Sequence, residues 1–134
     1  MDKIFVSKIS KSKWEKHSRK RIEAGANPDL RWCKLVDSKI HASEGISVGC
    51  LRIPVGGQLP LHTHSPQEIY IVKSGSGLLL KECSQTDVVT PSDVIYIPKG
   101  VKHGLWNNGE KILEIIWIFP TDNWEEVEYT YVDN

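Results

Sequence analysis

The chain has 134 residues, 40% hydrophobic and 25% charged, with no formal net charge at pH 7. That length fits one domain (1–134), and the charge balance excludes bulk attraction to nucleic acid or membrane. No apolar run is long enough to span a bilayer, the start MDKIFVSKIS lacks the pattern of a secretory leader, and Cys33, Cys50 and Cys83 are isolated and odd in number, so reduced thiols in a cytoplasm are expected.

The first 39 residues carry a net six positive charges, and the stretch from Glu110 onward a net six negative. A helix is predicted over residues 12–24, with Ser12 as N-cap, Glu15 completing a capping box, and Gly25 and Pro28 stopping it. The basic KHSRKR run within it reads as a solvated helix face rather than a nucleic-acid patch. From Leu30 the pattern turns to strands: 31–36 as an edge strand, then 46–53, which ends at the turn 54–57. Strands follow around His62 and His64 and over 68–72, and a Ser-Gly-Ser-Gly turn leads into 78–81. Further strands are predicted over 86–90, 93–97 and 103–107, where Asn107-Asn108-Gly109 signals a hairpin. The last long strand, 111–119, is apolar on both faces, which fits the centre of a sandwich or an oligomer contact. Many short strands with one helix argue an all-β barrel or sandwich, with a core at about 30–119 and a tail at 120–134.

Residues two apart on a strand face the same way, so His62 and His64 present two imidazoles to one point. Ser65-Pro66 breaks the alternation, and Glu68, Tyr70 and Val72 then share a face. His103 is a fourth candidate ligand. Three imidazoles and a carboxylate suit one divalent Fe, Mn, Ni, Co or Zn ion, whereas Ca and Mg prefer oxygen alone. Four protein ligands in octahedral geometry leave two positions open, the mark of a catalytic site.

Gly56, His62-x-His64, Glu68 and Gly75 match the first signature of the cupin superfamily, and Pro98-x-Gly100, His103 and Asn107 match the second. The second signature usually opens on a Gly where this chain has Ser92. The resemblance implies a jelly-roll barrel with the metal inside. Over HTHSPQEIYIV, DVIYIPKGVKHGLWNNGEK and WIFPTDNWEEVEY the chain also resembles the small single-cupin dimethylsulfoniopropionate lyases. That likeness implies a small carboxylate substrate held at a metal by His62, His64, Glu68 and His103. It implies that Tyr70 takes the proton next to the carboxylate and that Tyr129 lines the pocket, giving dimethyl sulfide and acrylate from a homodimer. Trp32, Trp106, Trp117 and Tyr129 are candidates to hold the sulfonium by cation–π attraction. Other metal cupin enzymes, a dioxygenase or a sugar isomerase, and a non-catalytic binding cupin are the alternatives.

Overall fold

The computed structural model describes residues 3–132. A short 3-10 turn at Ile9–Lys11 and a five-residue helix α1 (Arg19–Glu23) precede ten strands. These are β1 (Arg31–Val36), β2 (Ser47–Ile53), β3 (Gln58–Thr63), β4 (Glu68–Ser74) and β5 (Gly77–Leu80), then β6 (Thr86–Val89), β7 (Val94–Ile97), β8 (His103–Trp106), β9 (Leu113–Phe119) and β10 (Thr130–Tyr131). They form two five-stranded sheets, ordered β1-β2-β9-β4-β7 and β10-β3-β8-β5-β6, with every pairing antiparallel. Together they make the jelly roll expected. Trp32, Tyr70, Ile115 and Trp117 of the first sheet and Leu59, Leu79 and Leu105 of the second belong to one buried cluster.

The strand β9 is apolar on both faces because it lies at the centre of its sheet, between β2 and β4. Leu113, Ile115, Trp117 and Phe119 alternate into the core. On the other face Ile116 packs with Cys33, Cys50, Ile9 and Trp14. The N-terminal stretch therefore covers part of the outer face.

That covering explains why the predicted helix is shorter than 12–24. Residues 13–18 are not helical, and Glu15 bridges Trp32 through backbone hydrogen bonds of 2.6 and 3.2 Å. The edge ladder of β1 captures the segment, and tertiary pairing overrides local helix propensity. Ser12 caps no α-helix; its hydroxyl donates to the Lys8 carbonyl at 2.7 Å. The N-cap is Ser18, whose Oγ accepts from the Arg21 N–H at 3.3 Å.

Two local irregularities aim the site. The register of β3 on β8 shifts between Leu59 and His62, so Pro60 and Leu61 form a bulge. Proline is tolerated there because no ladder donor is needed. The extra residue lets Leu59 and His62 both point inward. The bulge presses on Gly104, where a Cβ would lie 2.7 Å from the Leu59 carbonyl oxygen, so only glycine fits opposite it. The second irregularity corrects the predicted hairpin at Asn107-Asn108-Gly109. Strands β8 and β9 do not pair; they belong to different sheets. The buried Asn107 side chain instead ties the crossing, donating to the Ile53 and Lys111 carbonyls at 2.9 and 2.8 Å. Ser92, where the resemblance favours glycine, has φ 76°, in the left-handed region.

Candidate metal centre and its cavity

The four donors come from three neighbouring places. His62 lies on β3 and His64 just beyond it, while Glu68 opens β4 and His103 opens β8. All four are buried. Each ring is oriented by a backbone carbonyl: Nδ1–H donates to Pro60 at 2.7 Å in His62, to Pro66 at 2.9 Å in His64 and to Val101 at 2.8 Å in His103. A carbonyl only accepts, so Nδ1 carries the proton and each neutral ring offers Nε2 as a lone pair. Donor atoms of the three histidines lie within 4.8 Å of one another.

Glu68 Oε1 sits 3.0 Å from His64 Nε2 and 3.3 Å from His103 Nε2. With the Nδ1 protons committed elsewhere, these contacts set lone pair against lone pair. His62 Nε2 is buried without a hydrogen-bond partner among the described residues. Burial, and then His103, hold the His62 ring well below its usual pKa, so it stays neutral, as a ligand must. The donor set therefore fits a divalent cation, and His62, His64 and His103 could hold one with Glu68 beside them.

Glu68 and Tyr70, on one face of β4 as their spacing predicts, line a small cavity of about 30 Å³. Tyr70 is 2% exposed, and its ring lies 5.9 Å from that of His103. Tyr129 stacks on His62 at 4.8 Å with the rings 20° apart, and its hydroxyl accepts from Trp124 Nε1–H at 3.3 Å. Burial, followed by the Glu68 charge, pushes both phenols well above their usual pKa. Trp32 and Trp117 also line the cavity. Trp106 does not: Leu105 points inward, so the next residue of β8 points out, and Trp106 sits on the outer surface with Leu61 and Leu78.

Sequence reasoning missed His17, Trp124 and Tyr131. With Tyr129 they line both this cavity and an outer vestibule of about 510 Å³ that includes Lys20 and Arg21. The two ends of the chain meet at this mouth. Arg21 lies over Trp124 at 4.6 Å, and Asp37 accepts from the Trp124 backbone N–H at 3.0 Å, anchoring the tail. Only Tyr131 had a sequence signal, since it stands two residues beyond Tyr129 on an extended tail and so shares its side.

Residues 49–119 match the family model for the cupin domain, a span that carries all four donors. The chain belongs to the cupin family. Among curated relatives, this cupin is 26% identical over 113 residues to the dimethylsulfoniopropionate lyase DddW of Ruegeria pomeroyi, covering 82% of the chain and 73% of the relative. It is 28% identical over 108 residues to auxin-binding protein T85 of Nicotiana tabacum, covering 67% of the chain and 58% of that protein. Among solved structures, the polyketide cyclase RemF of Streptomyces resistomycificus superposes with a TM-score of 0.75 at 21% identity, covering 100% of this chain and 87% of that one. The last likeness shows the fold alone. Among the described residues no helix is long and apolar enough to cross a membrane.

Proposed function

We propose that this cupin is a metal-dependent carbon–sulfur lyase that cleaves dimethylsulfoniopropionate into dimethyl sulfide and acrylate. The observation that carries the reading is the position of Tyr70. Its phenol shares an aromatic cavity with Glu68 and stands beside the ring of His103. The 26% identity to a lyase of this substrate supports it.

A divalent ion held by His62, His64, Glu68 and His103 would neutralise the substrate carboxylate and so acidify the adjacent carbon. Tyr70, as phenolate, takes the α-proton. The released electron pair forms the carbon–carbon double bond, and the β carbon–sulfur bond breaks with its electrons going to sulfur. Acrylate, neutral dimethyl sulfide and the tyrosine phenol result. Burial opposes the phenolate, while a cation at the ligands and a sulfonium in the cavity favour it. Tyr129, held by Trp124, closes the aromatic wall over His62 and excludes water.

The test is headspace gas chromatography of metal-loaded protein given the sulfonium substrate, with and without oxygen. Dimethyl sulfide should form equally in both. Absence of the gas overturns the lyase reading, and oxygen-dependent consumption replaces it with an oxygenase.

A further inference from the structure

The first sheet carries one wall of the cavity, reaching from Glu68 on β4 to Trp32 on β1. Tyr70 on β4 pairs in register with Trp117 on β9, and Trp117 pairs with Gly49 on β2. A Cβ on Gly49 would lie 2.1 Å from Cζ2 of Trp117, so the missing side chain is what lets the indole extend over β2. Beyond β2 comes β1, which supplies Trp32. His17, its ring 4.5 Å from that of Trp32, adds a third heterocycle.

All three line the cavity shared with Glu68 and Tyr70. Trp32 Nε1, Trp117 Nε1 and His17 Nδ1 are each buried and have no hydrogen-bond partner among the described residues. Trp32 is 2% exposed and Trp117 5%. Buried indole N–H groups nearly always find an acceptor. Two such groups and an imidazole nitrogen left over in one cavity therefore mark a place where an oxygen from outside the chain, a water's or a ligand's, supplies the acceptor. An indole N–H can only donate, so the complementary group is an oxygen with free lone pairs. Burial, then Arg21 and Arg31, lower the His17 pKa to about 4; the ring is neutral at pH 7, and its Nδ1 donates to an oxygen in the Nδ1–H tautomer.

We propose that Trp32, Trp117 and His17 form a second polar subsite, in the cavity they share with Glu68, that binds an oxygen of a short carboxylate bearing a second oxygen acceptor at its far end. The inference rests on the reading of this cavity as the substrate site and deepens it. A sulfonium meets the indole faces but leaves the N–H edges unpaired, whereas a far-end carboxylate, hydroxyl or carbonyl satisfies them. The substrate class extends to carboxylates with an oxygen-bearing β substituent.

The experiment is isothermal titration calorimetry of the metal-loaded protein with succinate and with butanoate, which share a four-carbon chain and differ in the far-end carboxylate. Succinate should bind at least about tenfold more tightly, since a site built to hydrogen-bond an oxygen discriminates against the analogue lacking it. Trp32→Phe and Trp117→Phe keep an aromatic face and delete the N–H, and each should shrink the succinate-to-butanoate ratio. Equal affinities in the wild-type protein overturn the proposal, even where the variants fail to fold. So does a ratio that both variants leave unchanged. If neither acid binds, the metal-anchored carboxylate site itself fails, a different outcome from butanoate binding as well as succinate.

Discussion

Glu114 and Glu68 lie on adjacent strands of one sheet, β9 and β4, and face opposite ways. Glu114, on the outer face, accepts from Arg52 Nε at 2.8 Å, Ser74 Oγ at 2.9 Å and Lys73 Nζ at 3.3 Å. Despite partial burial, those donors hold its carboxyl below the usual pKa. Glu68 faces inward, beside the Tyr70 phenol and the Nε2 atoms of His64 and His103, and those two nitrogens offer it lone pairs rather than protons. The first carboxylate is complete within the protein. The second faces two lone pairs that a cation would satisfy. Buried polar groups are satisfied as a rule, and three of those left unpaired among the described residues, His62 Nε2 and the indoles of Trp32 and Trp117, lie on the Glu68 side of the sheet. Structural charge and functional charge are told apart by what surrounds them, not by residue type.

The largest expected effect is on metal content. His62→Ala or Glu68→Ala should reduce bound metal, measured by elemental analysis, from about one ion per chain to near zero, and abolish turnover with it. Glu114→Ala should leave the stoichiometry untouched. Loss of metal in a folded Glu114→Ala protein would break the contrast outright. Next comes Tyr70→Phe, which should keep the metal and lower the elimination rate by about 10²–10⁴-fold, the range for a lost general base. Because burial raises the Tyr70 pKa, the working phenolate becomes more abundant as pH increases, so wild-type kcat should climb toward alkaline pH. A kcat that is flat with pH would remove Tyr70 from the role.

The inward side of this contrast was readable in the sequence because its residues are chemically scarce and closely spaced. His62, His64 and Glu68 fall within seven positions, and strand alternation sends Glu68 and Tyr70 to one face. The bulge at Pro60 and Leu61 was not readable: its one local sign is the proline, and its partner Gly104 lies on another strand. The mouth was harder still. His17 comes from a segment whose capping box favours helix, yet the segment is captured by the edge of β1. Trp124 is placed by Asp37, far away in sequence. Contacts of that kind depend on where the ends of the chain dock, which no local pattern records. Trp106 shows the converse, since parity from the inward His103 already sends it outward.

Stability separates the two carboxylates more finely. In metal-free protein, Glu114→Gln should cost about 1 kcal/mol, because two of its three hydrogen bonds come from charged donors that are themselves part-exposed. That corresponds to a fall in Tm of about 3–5 °C for a domain of this size. Glu68→Gln should act in the opposite sense without metal, since an amide N–H can donate to a histidine Nε2 that now faces only lone pairs. Thermal melts in a chelator decide it. A Glu68→Gln protein that melts lower than wild type would mean the apo site is already satisfied.

The smallest effect concerns acid, where the two sides of the sheet should lose stability in different pH windows. His17 at the mouth is held at a pKa of about 4, against 6.5 when unperturbed, by burial and then by Arg21 and Arg31. Between those values the unfolded chain binds a proton that the folded chain refuses, so stability is full above about pH 6.5 and drains as pH falls toward 4. His62, also held low, contributes with the same sign. Glu114 behaves as a depressed carboxylate: its contribution is present above the ordinary value of 4.5 and lost only below it. Urea midpoints of the metal-free protein should therefore drop between pH 7.5 and pH 5. His17→Gln should flatten part of that drop and leave the rest to His62, while Glu114→Gln should leave its slope alone. If His17→Gln left the slope unchanged, the His17 ring would not be enclosed at the mouth as the geometry has it. If Glu114→Gln changed the slope, the outer carboxylate would not be the self-contained cluster that its three donors describe.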